Sequence, residues 1–540
     1  MTNLPAVNFE RYYRHHELTA HLRQAAAAAP ERVRLHNLYT TTEGREEWLV
    51  EVADFTTTAA KPAYLVHANI HAPEVSGTTA ALVLLEQLLT RSDLQDLLRE
   101  VTFYIIPRLN PDGAEYALVT GGQIRSKFEP RPRKNGLHPE DLNGDGLILQ
   151  MRWQDPYGPY RLDDEDPRVL VARRQGDEGP FYHTAQEGLV EDYDGGAVHD
   201  AQRGFDFNRN WGYNWQPEHL QWGAGDYAFS VPEMKAVADW VYAHPNIFGM
   251  LGFHNGPSGV LRPSATVPDA DINPHDLRVM KDLGQVGERL TGFTLRAVRD
   301  YCGPDHPRLS LKGHFTDWGY FSLGLQVFEI ELGSLYSAAG ITTDEFFEAD
   351  EFTRDVTFRR RIYKHADSLR AEDSPAQGFV DWQPFDHPQL GPVEIGGLPI
   401  VPCTTPPAPE MASIGPRCAD FVIEHARRRP RLEVRDVQVE PLGGEVYRLR
   451  AKVGNVGALP THITQHGRSI QSNGPVTVRL ELPEGVELLS RKQVHETAGL
   501  EALRGHVELE WFVRGHTGAT VTITAQAPKA GSATAEVQLA

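Results

Sequence analysis

Cysteine is scarce in this chain, with three residues (Cys302, Cys403 and Cys418) among 540. They form no CxxC pair, so a disulfide framework is excluded and a reducing compartment is the simplest reading. Long apolar runs are missing as well. Nothing approaches the roughly 20 residues that a bilayer span needs. The opening stretch MTNLPAVNFERYYRHHELTA contains no apolar core of a secretion leader. A cytoplasmic protein without a membrane partner is expected. Positive charge is in deficit: 53 Lys and Arg face 73 Asp and Glu, a net charge of −20. That balance argues against nucleic acid or an anionic membrane surface as the main partner. Repeats and low-complexity segments are also absent.

What is present is ordinary for a globular protein, 40% apolar and 23% charged. At 540 residues the chain exceeds what a single core supports, so at least two domains are expected. Residues 12–29 predict an amphipathic helix closed by Pro30, and 33–52 predict strands about a turn at Gly44. Continuous apolar runs at 63–66 and 101–107 predict strands buried on both faces. Asn110-Pro111-Asp112-Gly113 reads first as a turn. Residues 230–243 and 276–290 predict helices, 248–253 and 325–332 strands, and 346–371 one long charged helix. Strand, helix and strand in this order indicate an α/β sheet with helices on both faces.

Residues 121–199 break that rhythm, being polar and rich in Pro and Gly, and read as an insertion over the mouth of a site. Within them Asp141, Asn143, Asp145 and Gly146 spell the start of a calcium loop. The twelfth position is Arg152 instead of Glu, so calcium, with ligands borrowed from Asp155 or Asp163, competes with a plain Asx-stabilised turn. Residues 373–430 form a Pro- and Gly-rich connector with a hairpin and a helix, ending the unit 1–372. From 431 to 540 apolar residues alternate in short runs, the pattern of a β-sandwich.

The organising stretch is 63–89. A buried strand ends near His67 and Asn69, His71-Ala72-Pro73-Glu74 follows, and Ser76 suits the N-cap of a helix. His71 and Glu74 therefore sit in a loop between strand and helix, where open sheets carry their sites. Imidazole and carboxylate three residues apart can share one borderline-soft cation, and zinc accepts that mixture.

Three further motifs and one short pair give this loop a context: RLNPDGAEY at 108–116, FDFNRNW at 205–211, the run GHFTDWGYFSLGLQVFEIELG at 313–333, and Phe253-His254. In this order they resemble the zinc carboxypeptidase family, the carboxypeptidase A-like metallopeptidases, over roughly residues 9–336. The resemblance implies an α/β fold with a mixed twisted sheet flanked by helices, here followed by the C-terminal all-β sandwich. It implies one zinc ion held by His71, Glu74 and His254, with an open position for water. It implies Glu331 as general base, with Glu329, one pleat away on the same strand face, as its rival. Asn208 and Arg209 match the clamp on a peptide's terminal carboxylate, a task suited to planar arginine. Asp206 matches an acid that orients a zinc-bound histidine. For the arginine that meets the developing oxyanion, Arg133 matches the family's wording and Arg125 its spacing; Arg133 is the choice from sequence.

Two departures limit the carry-over. Leu309 stands where the family has a mobile tyrosine, with Tyr301 or Tyr320 as possible substitutes. The floor of the specificity pocket aligns with Thr316, which argues against a preference for C-terminal Lys or Arg. The leading expectation is a zinc-dependent carboxypeptidase acting on peptides with a free C-terminus. Cleavage of muropeptides or another amide is the alternative, and an inactive binding protein the reading from a different class.

Overall fold

A computed structural model describes residues 4–128, 134–199, 204–301, 311–350, 353–369 and 378–540. Its central sheet has eight strands: β1 (Val33–Thr40), β2 (Glu46–Val52), β3 (Ala63–Ala68), β4 (Thr102–Ile106), β5 (Ile247–His254), β6 (Gly259–Arg262), β7 (Leu295–Ala297) and β8 (Gln326–Glu331). They lie in the order β1-β2-β4-β3-β5-β8-β6-β7. The four central strands β4, β3, β5 and β8 run parallel, whereas β1, β2 and the β8–β6 pair are antiparallel. Parallel strands must be covered on both faces, and the continuous apolar runs supply that cover. Every residue of β3, β4 and β5 is buried.

On one face Leu65, Met250 and Val327 meet the helix Pro232–Ala243 and the aromatics Phe207, Trp211 and Trp318. On the other, Val66, Phe253 and Phe328 meet the helices Ser76–Thr90 and Met411–Arg427. Part of the stretch read as connector thus packs in the main core. The rest of it, the hairpin Val380–His387 and Gly391–Gly397, pairs with Gln150–Gln154 of the insertion. Insertion and hairpin share one six-stranded sheet. Backbone hydrogen bonding drew them together, and no local pattern in either segment announces it.

Three local expectations change. Asn110-Pro111-Asp112-Gly113 opens the helix Pro111–Thr120: Pro111 occupies the first turn and the Asn110 side chain accepts from Gly113 N. Ser76 is the first helical residue rather than the cap, and its hydroxyl turns to Asn255 Oδ1 at 2.7 Å. The single helix expected over 346–371 is instead Thr343–Glu348, a π-turn Thr353–Phe358 and Arg359–Leu369. Among the described residues no helix is long and apolar enough to cross a membrane.

The C-terminal strands form two four-stranded antiparallel sheets around Leu449, Val478, Trp511 and Ile523. The loop at 464–466 docks this unit on the first. Asp276 accepts from the backbone N–H of Gln465 (2.7 Å) and His466 (2.9 Å) and from the Tyr320 hydroxyl (3.0 Å). The hydroxyl of Thr464 donates to Gly324 O at 2.8 Å. Replacing Asp276 with Ala removes a buried charged acceptor and is expected to cost about 2–3 kcal/mol. A lowered urea midpoint checks this, with the C-terminal unit melting separately as the sign of lost docking.

Candidate metal centre

The parallel strands β3, β5 and β8 end at one edge of the sheet, and their last residues meet there. After β3 the chain turns sharply because Asn69 adopts left-handed backbone (φ 55°), a conformation asparagine tolerates. The Asn69 amide donates to His71 O (2.7 Å) and Ala72 O (3.2 Å), and its oxygen accepts from Arg108 Nε (3.1 Å). That buried clamp aims His71 and Glu74 inward. His254 arrives as the last residue of β5, beside Glu331 at the end of β8.

One nitrogen or oxygen from each of His71, Glu74 and His254 lies within 4.8 Å of the others. His71 Nδ1 is 2.8 Å from Glu74 Oε1, and His254 Nδ1 is 3.2 Å from Glu74 Oε2. All three side chains are at most 3% exposed. Two imidazoles and a carboxylate facing one point are a donor set that zinc accepts. Among the described residues it is the one group of three or more such side chains so arranged.

The surrounding charge fits a dication. Asp206 Oδ1 stands 3.2 Å from His71 Nε2 and its other oxygen accepts from Arg125 Nε at 3.0 Å. Arg125 Nη1 also reaches Glu74 Oε1 at 3.3 Å. Burial opposes ionisation of Asp206, but Arg125, Arg209 and His71 outweigh it and hold its carboxyl well below the usual range. Burial likewise opposes Glu74, and His71 and His254 reverse the outcome. Glu329 and Glu331 complete four carboxylates against the guanidiniums of Arg125 and Arg209. Carboxylates outnumber guanidiniums there among the described residues, and a bound cation would offset the excess. The same field acts on His254: although burial disfavours its charged form, Glu329 and Glu74 raise it well above the ordinary imidazole range.

Glu331 projects at the rim. Its Oε2 is buried with no hydrogen-bond partner among the described residues. Burial, with Glu74 and Glu329 adding to it against His254 and Arg125, pushes its carboxyl up to about 8. Gly256 lies against it, since a Cβ there would stand 2.5 Å from the Tyr301 hydroxyl and 3.0 Å from Glu331 Oε2. Tyr301 is therefore beside the site, its hydroxyl donating to Pro257 O at 2.6 Å. Tyr320 is not, being bound to Asp276 at the domain junction.

Other expected residues are placed differently. The Asn208 amide is turned into the protein, donating to Glu329 Oε1 (3.2 Å) and accepting from Phe315 N (2.9 Å). Arg209 Nη1 donates to Asn208 O at 2.8 Å. Thr316 is fully buried, its hydroxyl 3.0 Å from His314 Nδ1. Arg133 and Leu309 lie outside the described residues. At the expected calcium loop the oxygens bond their own turn: Asp141 accepts from Gly144 N and Gly146 N, Asn143 from Asp145 N, and Asp145 from Leu147 N. Arg152 pairs with Glu394, and Asp163 with Arg360. Calcium thus has no support there, and Asx turns account for the motif.

Sequence reasoning gave no role to Asn69 or His314. Asn69 carried a signal, an asparagine between an apolar strand and the loop; His314 carried none.

The family model described as zinc carboxypeptidase matches residues 18–340, and a domain of unknown function matches 431–538. Zinc carboxypeptidase A 1 of Drosophila melanogaster is 26% identical over 290 residues, covering 48% of this chain and 64% of that protein. Carboxypeptidase D of the same species is 27% identical over 188 residues, covering 32% of this chain and 12% of that protein. The chain spans less than two thirds of the length of either curated relative. A solved carboxypeptidase A from Helicoverpa armigera is similar at a TM-score of 0.39 and 17% identity, covering 61% of this chain and 66% of that one.

Replacing Gly256 with Ala should push Glu331 or Tyr301 aside and destabilise the fold by about 1–3 kcal/mol; a lowered urea midpoint checks this.

Proposed function

The chain belongs to the zinc carboxypeptidase family, and from that membership we propose that it is a metallocarboxypeptidase that hydrolyses the C-terminal bond of peptides. The observation that carries this reading is the convergence of His71, Glu74 and His254 within 4.8 Å beneath a Glu331 oxygen that is partnerless among the described residues. His71, Glu74 and His254 would hold the zinc. Zinc, when bound, supplies a Lewis acid that polarises the scissile carbonyl and brings the pKa of water near 7.

The chain's own groups do the rest. Glu331 takes a proton from the attacking water and delivers it to the leaving amine. A carboxyl that burial holds up at about 8 despite His254 and Arg125 falls further toward the useful range when more positive charge stands beside it. Arg125, reaching the centre through Glu74 and Asp206, is a fixed cation at hand, among the described residues, for a carbonyl oxygen that gains charge. It takes the role expected of Arg133. Asp206 holds His71 by its far nitrogen, fixing tautomer and ring orientation. Arg209 receives the substrate's terminal carboxylate by its planar fork. Asn208, engaged inward, supports Arg209 from behind. Thr316 places no charge where a C-terminal Lys or Arg would need one.

Glu331→Gln is expected to lower kcat by about 10²- to 10⁴-fold with zinc stoichiometry unchanged; wild-type activity in that variant would remove the general-base role. Arg125→Ala should lower kcat by about 10²- to 10³-fold and leave KM little altered in the same steady-state assay. Peptides with free C-termini should be cleaved and their amidated counterparts spared, and equal cleavage of both would end the role given to Arg209. Removal of the metal with a chelator should abolish hydrolysis, and added zinc should restore it.

A further inference from the structure

Each histidine of the metal centre lies between two carboxylates. Both present Nδ1 to Glu74. The far nitrogen of His71 faces Asp206 at 3.2 Å. The far nitrogen of His254 faces Glu329 Oε1 at an ion-pair distance of 3.4 Å and has no hydrogen-bond partner among the described residues. We propose that Glu329 is a positioning residue for the metal centre, fixing the His254 ring from behind as Asp206 fixes His71. The inference rests on the reading that His71, Glu74 and His254 bind zinc.

Strand geometry separates Glu329 from the reacting atoms. Glu329 and Glu331 point to the same face of β8, but Glu329 lies about 7 Å further from the strand end. It is 2% exposed. Across the sheet it is paired with Gly252, two residues before His254. The glycine is required there, because a Cβ would meet His254 Nε2 at 3.3 Å and His67 Nε2 at 2.8 Å. The open space at Gly252 is what lets the His254 edge face Glu329. Closed off from solvent in this structure, Glu329 meets the metal centre through His254.

Its own partners hold it in place. Asn208 Nδ2 donates to Oε1 at 3.2 Å, and His314 Nε2 lies 3.7 Å from Oε2 and 3.2 Å from the same amide nitrogen. Among the described residues no lysine or arginine forms an ion pair with Glu329; the two ion pairs it makes are with His254 and His314. A buried carboxylate whose ion pairs are with imidazoles, and whose other support is a neutral amide, gains from a cation on the far side of one of those rings. The inward turn of Asn208 thereby acquires a purpose: it ties the loop carrying Asp206 and Arg209 to the carboxylate behind His254.

The test is zinc affinity, measured by competition with a fluorescent chelator on the full chain. Glu329→Gln is expected to weaken zinc binding about 10- to 100-fold and to shrink the rise in melting temperature on adding zinc. At saturating zinc the KM for a peptide should be unchanged and turnover should persist. An unchanged zinc Kd would overturn the proposal, and so would full zinc affinity with turnover abolished, since Glu329 would then be a base. Glu329→Asp keeps the charge but withdraws it from Nε2; weaker zinc binding with an unaltered metal-free melting temperature is expected, and unaltered binding overturns the proposal even if the Gln variant fails to fold. A wild type that binds no zinc would overturn the proposed function itself, an outcome distinct from wild-type binding that the variants leave untouched.

Discussion

Negative charge gathered out of water at one edge of a sheet is the constraint on which the structure depends. Isolated buried carboxylates are costly, and several side by side more so. Here Glu74, Asp206, Glu329 and Glu331 stand around two histidines, with the guanidiniums of Arg125 and Arg209 among the described groups in opposition. The fold must supply hydrogen bonds and rigid placement for each of them, and it must leave room for a cation. Asn69, Asn208 and His314 are best understood as the supports that this concentration of charge requires.

The architecture meets the requirement by directing parallel strands at a common point. The loop after β3 and the last residue of β5 bring the ligands, and the C-terminal half of β8 brings the two glutamates. Helices on both faces keep those strands straight and dry, including Met411–Arg427, which comes from beyond the long insertion and the hairpin. The insertion is itself completed by that hairpin. The C-terminal sheets are attached through Asp276, far along the chain from either sheet's core. Sections distant in sequence are therefore mutually dependent, and the site sits within the section with the deepest core.

Reading from sequence succeeded where a signal is local. The runs at 63–66 and 101–107 carry no charged residue and little that must face water, so they read as strands covered on both faces. Alternation after residue 431 has one physical outcome, a sheet with one face buried. His71 and Glu74 were found because strand, loop and helix signals bracket them. Reading faltered where one residue has two uses. Pro111 suits a turn and the first turn of a helix equally, and Asp112-Gly113 behind it did not decide the matter. Ser76 could cap a helix or bond a neighbouring loop. Asn208 could face a substrate or a buried acid.

By itself the sequence determined which chemistry is available: imidazole and carboxylate at loop spacing, an acid ending a buried strand, arginines with aromatic neighbours, and too few cysteines for any framework. It also determined the kinds of element, since periodicity is a property of short windows. The tertiary structure alone decided pairing. That Glu329 lies behind His254, that Arg125 reaches Asp206, and that a hairpin near residue 390 completes a sheet begun near residue 150 are matters of distance between remote segments. Distances of that kind arise from packing and strand register, which sum over the whole chain and leave no mark at any one position.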